Sequence, residues 1–129
     1  MKILSILETP YRGTLEEQDD ASLWFTHAVS NAGKGAYEVG ILLRGNAVNY
    51  AVTAQNAEGL RIGNLDFERP CKLDQDLVGM KEAGMKVLVV REDLADRGIS
   101  TDSIAGEFEL VERAQIGGLV SQYDQVWHW

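Results

Sequence analysis

Met85-Lys86-Val87-Leu88-Val89-Val90-Arg91-Glu92-Asp93-Leu94-Ala95-Asp96-Arg97-Gly98-Ile99 holds a strand and the helix after it in one stretch. Met85 to Val90 is the most apolar strand-like run of the chain. Its β-branched valines favour a central position in a sheet. The polar residues from Arg91 onward then read as a short helix stopped by Gly98. A buried strand followed by a short helix is the repeating unit of parallel α/β sheets, so the rest of the chain is read for further copies of it.

Upstream, Asp74 to Gly84 is helical in pattern, with Leu77, Val78, Met80 and Lys81 before a closing glycine. Gln55 to Leu73 is mostly loop, although Leu60, Ile62, Leu65 and Phe67 alternate and could pack as an extended segment. Gly45 to Ala54 reads as a short helix with Val48, Ala51 and Val52 inward, and Tyr37 to Leu43 as a buried strand. Lys2 to Leu7 is a first strand: its apolar run is too short for a leader peptide, and Glu8 and Pro10 interrupt it. A loop from Thr9 to Gly13 follows. Thr14 and Glu17 have capping-box spacing. Ala21, Trp24, Phe25, Ala28, Val29 and Ala32 form one helical stripe, ended by the left-handed turn that Gly33 and Gly35 permit. Downstream, Glu112 to Gln122 is helical and Gln125 to Trp129 is a last strand.

This alternation predicts one domain over 1–129. The fold class is a three-layer α/β sandwich, flavodoxin-like, with a mostly parallel central sheet of about five strands and helices on both faces. The chain has 129 residues, 45% hydrophobic and 25% charged, which suits one globular unit rather than two. No apolar run reaches the roughly 20 residues of a membrane-spanning helix. The net charge of -8 repels phosphate backbones, so neither nucleic acid nor membrane is an expected partner. The single cysteine, Cys71, excludes an internal disulfide and fits the cytoplasm.

Ligands of open parallel sheets bind beyond the carboxyl ends of the strands. Three loops qualify: Glu8 to Gly13, Arg44 to Asn49 and Arg91 to Asp96. Tyr11, Arg44, Asn46, Arg91 and Arg97 are the candidate ligand-binding residues of this edge. The arginines could grip one oxyanion together or each serve a surface ion pair.

Taken in series, four stretches resemble the DsrE/DsrF-like family of sulfur-relay proteins, most closely its TusD-type members. The first is Met1-Lys2-Ile3-Leu4-Ser5-Ile6-Leu7-Glu8-Thr9-Pro10-Tyr11-Arg12-Gly13-Thr14. The second is Glu38-Val39-Gly40-Ile41-Leu42-Leu43-Arg44-Gly45-Asn46-Ala47-Val48-Asn49-Tyr50-Ala51. The third is Lys86 to Val90 with Leu94 and Arg97-Gly98-Ile99. The fourth is Gly117-Gly118-Leu119 with Tyr123-Asp124-Gln125-Val126-Trp127-His128-Trp129. The resemblance implies an α/β sandwich, a homo- or hetero-oligomer of such subunits, and a sulfur-carrier protein as partner. It implies no cofactor. Many members carry a persulfide on a cysteine just after the third strand. The matching position here is Val90, so the usual route is missing.

Cys71 is the candidate replacement. A reactive thiolate needs access and nearby positive charge. Arg69 and Lys72 flank Cys71, and a helix opening at Asp74 would add its dipole. A small core-filling thiol is the competing reading. His27 and His128 are far apart with no clustered cysteines, so no metal site is expected. Glu92 and Asp93, like Glu16, Glu17, Asp19 and Asp20, suit helix starts better than acid–base chemistry. The glycines match no phosphate loop. Trp127 and Trp129 share one face of the last strand, which Trp24 and Phe25 could meet, in a core or at an oligomer interface. Three functions follow: a subunit of sulfur trafficking, acting through Cys71 or as a thiol-free scaffold; a non-catalytic α/β module that binds a small anion or a protein at the carboxyl edge; or an enzyme of unrecognised chemistry.

Overall fold

Lys2–Leu7 forms β1, and every residue of it after Lys2 is buried. The computed structural model describes residues 1–10, 20–56, 58–66, 68 and 71–129. In chain order, β1 is followed by α1 (Ala21–Ala32), β2 (Glu38–Leu43), a 3-10 segment (Gly45–Ala51) and a small hairpin of β3 (Arg61–Ile62) and β4 (Leu65–Asp66). Then come α2 (Leu73–Glu82), β5 (Lys86–Val90), α3 (Arg91–Asp96), β6 (Glu109–Val111), α4 (Ile116–Val120) and β7 (Gln125–His128). Five strands make one sheet in the order β6-β5-β2-β1-β7, and every pairing in it is parallel. The expected parallel α/β sheet is therefore present. Its order is not that of flavodoxin, because the last strand returns to the edge beside β1.

Strand alternation sorts the core into two clusters. Ile3, Leu7, Val39, Ile41, Leu43, Val87 and Val89 face one side, packed with Leu23 of α1, Val48 and Tyr50 of the 3-10 segment, Leu77 and Met80 of α2, and Leu94 of α3. Leu4, Ile6, Leu42, Leu88, Val90 and Val111 face the other, under Ile116, Leu119, Val120 and Tyr123. Ile41 and Leu42, neighbours on β2 with no exposed surface, each contribute roughly 1.5–3 kcal/mol by burial.

Several expected elements differ in detail. Helix α1 opens at Ala21, where the Asp20 side chain accepts from the Leu23 N–H at 2.9 Å; the Thr14–Glu17 box lies outside the described residues. Its buried face holds Ser22, Leu23 and Thr26, while Trp24 and Phe25 are 65% and 40% exposed. Polar residues turn inward because each hydroxyl finds a partner: Ser22 on Asp20 and Thr26 on Ser5. Beyond α1, Gly35 takes the left-handed turn. Gly33 does not; it is needed because a Cβ there would overlap the Tyr37 ring. Leu60, Ile62 and Leu65 lie on or beside the β3–β4 hairpin, extended as expected but exposed rather than packed. The edge strand β6 has three residues, too few for a periodicity to register.

Candidate functional site

All the strands of the main sheet point one way, so their carboxyl ends form one rim. Leu7 pairs with Leu43, and Leu43 with Val89. One residue further, Glu8, Arg44 and Val90 form a row across three adjacent strands, and the Arg44 N–H donates to the Leu7 carbonyl at 3.0 Å. His128, at the end of β7, adjoins the row. Its Nε2 shares a hydrogen bond with Glu8 Oε2 at 2.6 Å, and Glu8 Oε1 stands 3.7 Å from Arg44 Nε. Val90, the last residue of the row, has no exposed surface.

A second polar cluster covers the ends of β2, β5 and β6. The carboxylate of Asp93 is buried there. Its Oδ2 accepts from the Gly45 N–H at 2.7 Å, and its Oδ1 accepts from Arg113 Nη2. Arg113 also reaches Asp96 Oδ2 at 2.9 Å, while its backbone N–H donates to both Glu92 oxygens at 2.8 and 2.9 Å. Burial pushes the Asp93 carboxyl up, but the Arg113 and Gly45 hydrogen bonds and the charges of Arg113 and Arg97 outweigh it and hold the group below its ordinary value. The same bonds to Asp93 and Asp96 raise Arg113. This cluster ties the 3-10 segment after β2 to α3 and to the turn after β6.

The predicted ligand-binding residues meet different fates. Tyr11 lies outside the described residues. Arg97 and Asn46 are brought together, but they bind each other: Arg97 Nε and Nη2 donate to Asn46 Oδ1 at 3.0 and 2.8 Å. Arg97 Nη1 is taken by the Asp93 carbonyl at 3.0 Å. Arg44 leans toward Glu8. Arg91 opens α3 and is exposed. The arginines are thus spread along the rim rather than converging on one point.

Cys71 is half-buried and packs against the first core cluster. It stands two residues before α2, which opens at Leu73 and carries Asp74 and Asp76 in its first turn. Lys72 pairs with Glu58 at 3.8 Å; Arg69 is outside the described residues. Among the described residues no group of three or more His, Cys, Asp or Glu could hold a metal ion, and no helix is long and apolar enough to cross a membrane. A shallow cleft of about 180 Å³, lined by Ser30, Lys34, Tyr37 and Glu38 among others, lies at the opposite, amino end of the strands.

Sequence reasoning did not single out Glu8, Arg113 or the Glu8–His128 pair. One signal was present: Glu112 and Gln115 have capping-box spacing, and both arms of that box form. It marks the turn that delivers Arg113. His128 alternates with Trp127 and Trp129, so the strand that turns the tryptophans to the first cluster turns His128 to the other face.

No known family model matches the chain, and none of the curated proteins does. Solved structures do. The ychN protein from E. coli superimposes with a TM-score of 0.69 at 18% identity, over 99% of this chain and 97% of that one. A protein of unknown function, MTH1491 from Methanobacterium thermoautotrophicum, gives 0.61 at 13% identity, over 99% and 97%. The chain shares the fold of these two proteins along almost its whole length.

Proposed function

We propose that this chain is a single-domain, cytoplasmic DsrE/DsrF-like protein of intracellular sulfur trafficking, one subunit of a homo- or hetero-oligomer of such chains, with Cys71 as its sulfur-carrying residue. The observation that carries this is the pairing of a retained fold with a displaced thiol. The sheet matches ychN and MTH1491 over 99% of the chain. At the end of β5, where the resemblance puts a cysteine, stands the fully buried Val90, and Cys71 is the only thiol in the chain.

In the proposed step the Cys71 thiolate attacks the outer sulfur of a donor persulfide. A new S–S bond forms on Cys71, the donor's S–S bond breaks, and the donor leaves as a thiolate, with no net oxidation. The α2 dipole favours the thiolate; Asp74 and Asp76 in its first turn offset part of that effect. The reading as a small-anion module loses ground because Arg97 is occupied by Asn46 and Asp93. Affinity capture with the full tagged chain tests the trafficking role. Recovery of thiol-bearing sulfur-transfer proteins is the expected result; recovery of unrelated proteins alone contradicts it.

A further inference from the structure

β7 pairs with β1 on one side and ends the sheet on the other. Successive residues of a strand turn their N–H and C=O to opposite sides. Trp129 turns both toward β1: its N–H donates to the Ile6 carbonyl at 2.9 Å, and its carbonyl accepts from the Glu8 N–H at 3.1 Å. Alternation then turns Gln125 and Trp127 to β1 as well, and Val126 and His128 outward. Among the described residues, no hydrogen bond from beyond the sheet reaches the backbone of these two. Trp127 packs on the first core cluster, 5.6 Å from Phe25 between ring centres, so Val126 and His128 turn their side chains to the second face. Phe25 and Val126, on opposite faces of this edge, are both 40% exposed. Edge strands are commonly guarded by charge or proline. The other edge, β6, carries Glu109, paired with Lys86 at 3.7 Å. β7 reads Gln-Val-Trp-His and holds no lysine, carboxylate or proline. The carboxylate of the preceding Asp124 is turned back to its own chain, where it accepts from the Lys2 N–H at 2.7 Å.

We propose that β7 docks against β7 of a second copy, antiparallel about a twofold axis, so that the two sheets run on as one. Only outward residues can exchange bonds across such an edge. The register that uses both of them sets Val126 opposite His128 of the copy, twice, with Trp127 opposite Trp127 on the axis. Each Val126–His128 pair exchanges two N–H···O bonds, and the tryptophans form a cross-strand aromatic pair on the first face. Setting Val126 opposite itself would bring His128 against Asp124, whose N–H is already given to the Lys2 carbonyl. A second copy fits the edge better than a loose peptide. A stable pair takes about 20–30 residues from each side; a peptide matched to four residues falls far short, while a copy adds its own α1 and Phe25 on the same face. The copy's β7 is also already extended on its β1, so it loses no backbone freedom on docking, whereas a free segment must be ordered. The hydrogen bonds set the register, because each replaces a bond to water; the covered apolar surface supplies the affinity. That the partner is a like chain rests on the oligomer proposed above; the register rests on the edge alone.

The test uses full chains carrying Cys71→Ser, one with Val126→Cys and one with His128→Cys. They are mixed under reductant and then oxidised with glutathione disulfide. In the proposed register the two thiols stand on residues about 5.5 Å apart between Cα atoms, within disulfide reach. Like residues stand roughly 7–8 Å apart. The mixed dimer is therefore expected to exceed either like-chain dimer by about tenfold. In parallel, Val126→Lys in the parent chain places a charge on the edge, and light scattering should show it lowering the mass of the parent oligomer. A mixed dimer no more abundant than the like-chain dimers, or an oligomer whose mass Val126→Lys leaves unchanged, overturns the edge pairing and leaves the oligomer standing. A monomeric parent overturns both.

Discussion

Arg113 lays its guanidinium across the end of β5 and donates to the buried carboxylate of Asp93. Through the Gly45 N–H that Asp93 also holds, this contact joins the turns after β2, β5 and β6. Because Asp93 sits below its ordinary value in the folded chain, it stabilises the fold above the unfolded carboxylate value of about 3.9. That contribution is lost as pH falls through the lower, folded value. Asp93→Asn is expected to cost about 1–3 kcal/mol at neutral pH, with the difference from the parent shrinking below about pH 4. Urea unfolding of both proteins from pH 7 down to 3 checks it; a constant difference across that range contradicts the linkage.

Gly40 and Tyr123 give a second prediction. A Cβ on Gly40 would stand 2.7 Å from Tyr123 Oη and 3.3 Å from the ring, so alanine must push the tyrosine off the second face of β2. Gly40→Ala is expected to destabilise by about 1–3 kcal/mol, as overpacking does, and Tyr123→Leu should relieve most of that cost. Burial, and then the charges of Glu38 and Glu109, raise the Tyr123 phenol. A raised value stabilises the fold below the unfolded phenol value of about 10 and ceases to do so as pH rises through the folded value. Ultraviolet titration should therefore show Tyr123 ionising at higher pH in the parent chain than in Gly40→Ala.

The aromatic edge gives a third. Phe25 lies 5.6 Å from Trp127 and 6.0 Å from Trp129, ring centre to ring centre, and Trp129 Nε1 donates to Ser5 Oγ at 3.0 Å. Trp24, on the same helix, is left 65% exposed, and β7 is an edge strand of the sheet. If this edge joins subunits, Trp24→Ser should weaken association by about 2 kcal/mol and leave the melting temperature of the dissociated chain unchanged. Light scattering after size exclusion reads the mass. A monomeric parent, or a variant with the parent's mass, contradicts the interface.

The strands were legible where sequence and burial coincide. Val87 to Val90 and Ile41 to Leu43 are apolar on both faces because the sheet is covered on both. The helices were legible in extent but not in facing: Trp24 and Phe25 looked like core, yet Ser22 and Thr26 took the interior because hydroxyl partners waited there. The three residues of β6 carried too little pattern to be seen. The rim was half legible. Arg44 and Arg91 follow β2 and β5 at the carboxyl edge, but Arg97 and Asn46 satisfy each other, and the Glu8–His128 contact joins residues 120 positions apart. Pairing across that separation depends on β7 returning beside β1, which strand order decides and local sequence does not.

Intact-mass spectrometry after incubation with a persulfide donor tests the sulfur-carrying role most directly. The expected result is one added sulfur, about 32 Da per chain, removed by reductant and absent from Cys71→Ser. A parent chain that gains no mass, or an adduct that persists in Cys71→Ser, would contradict it.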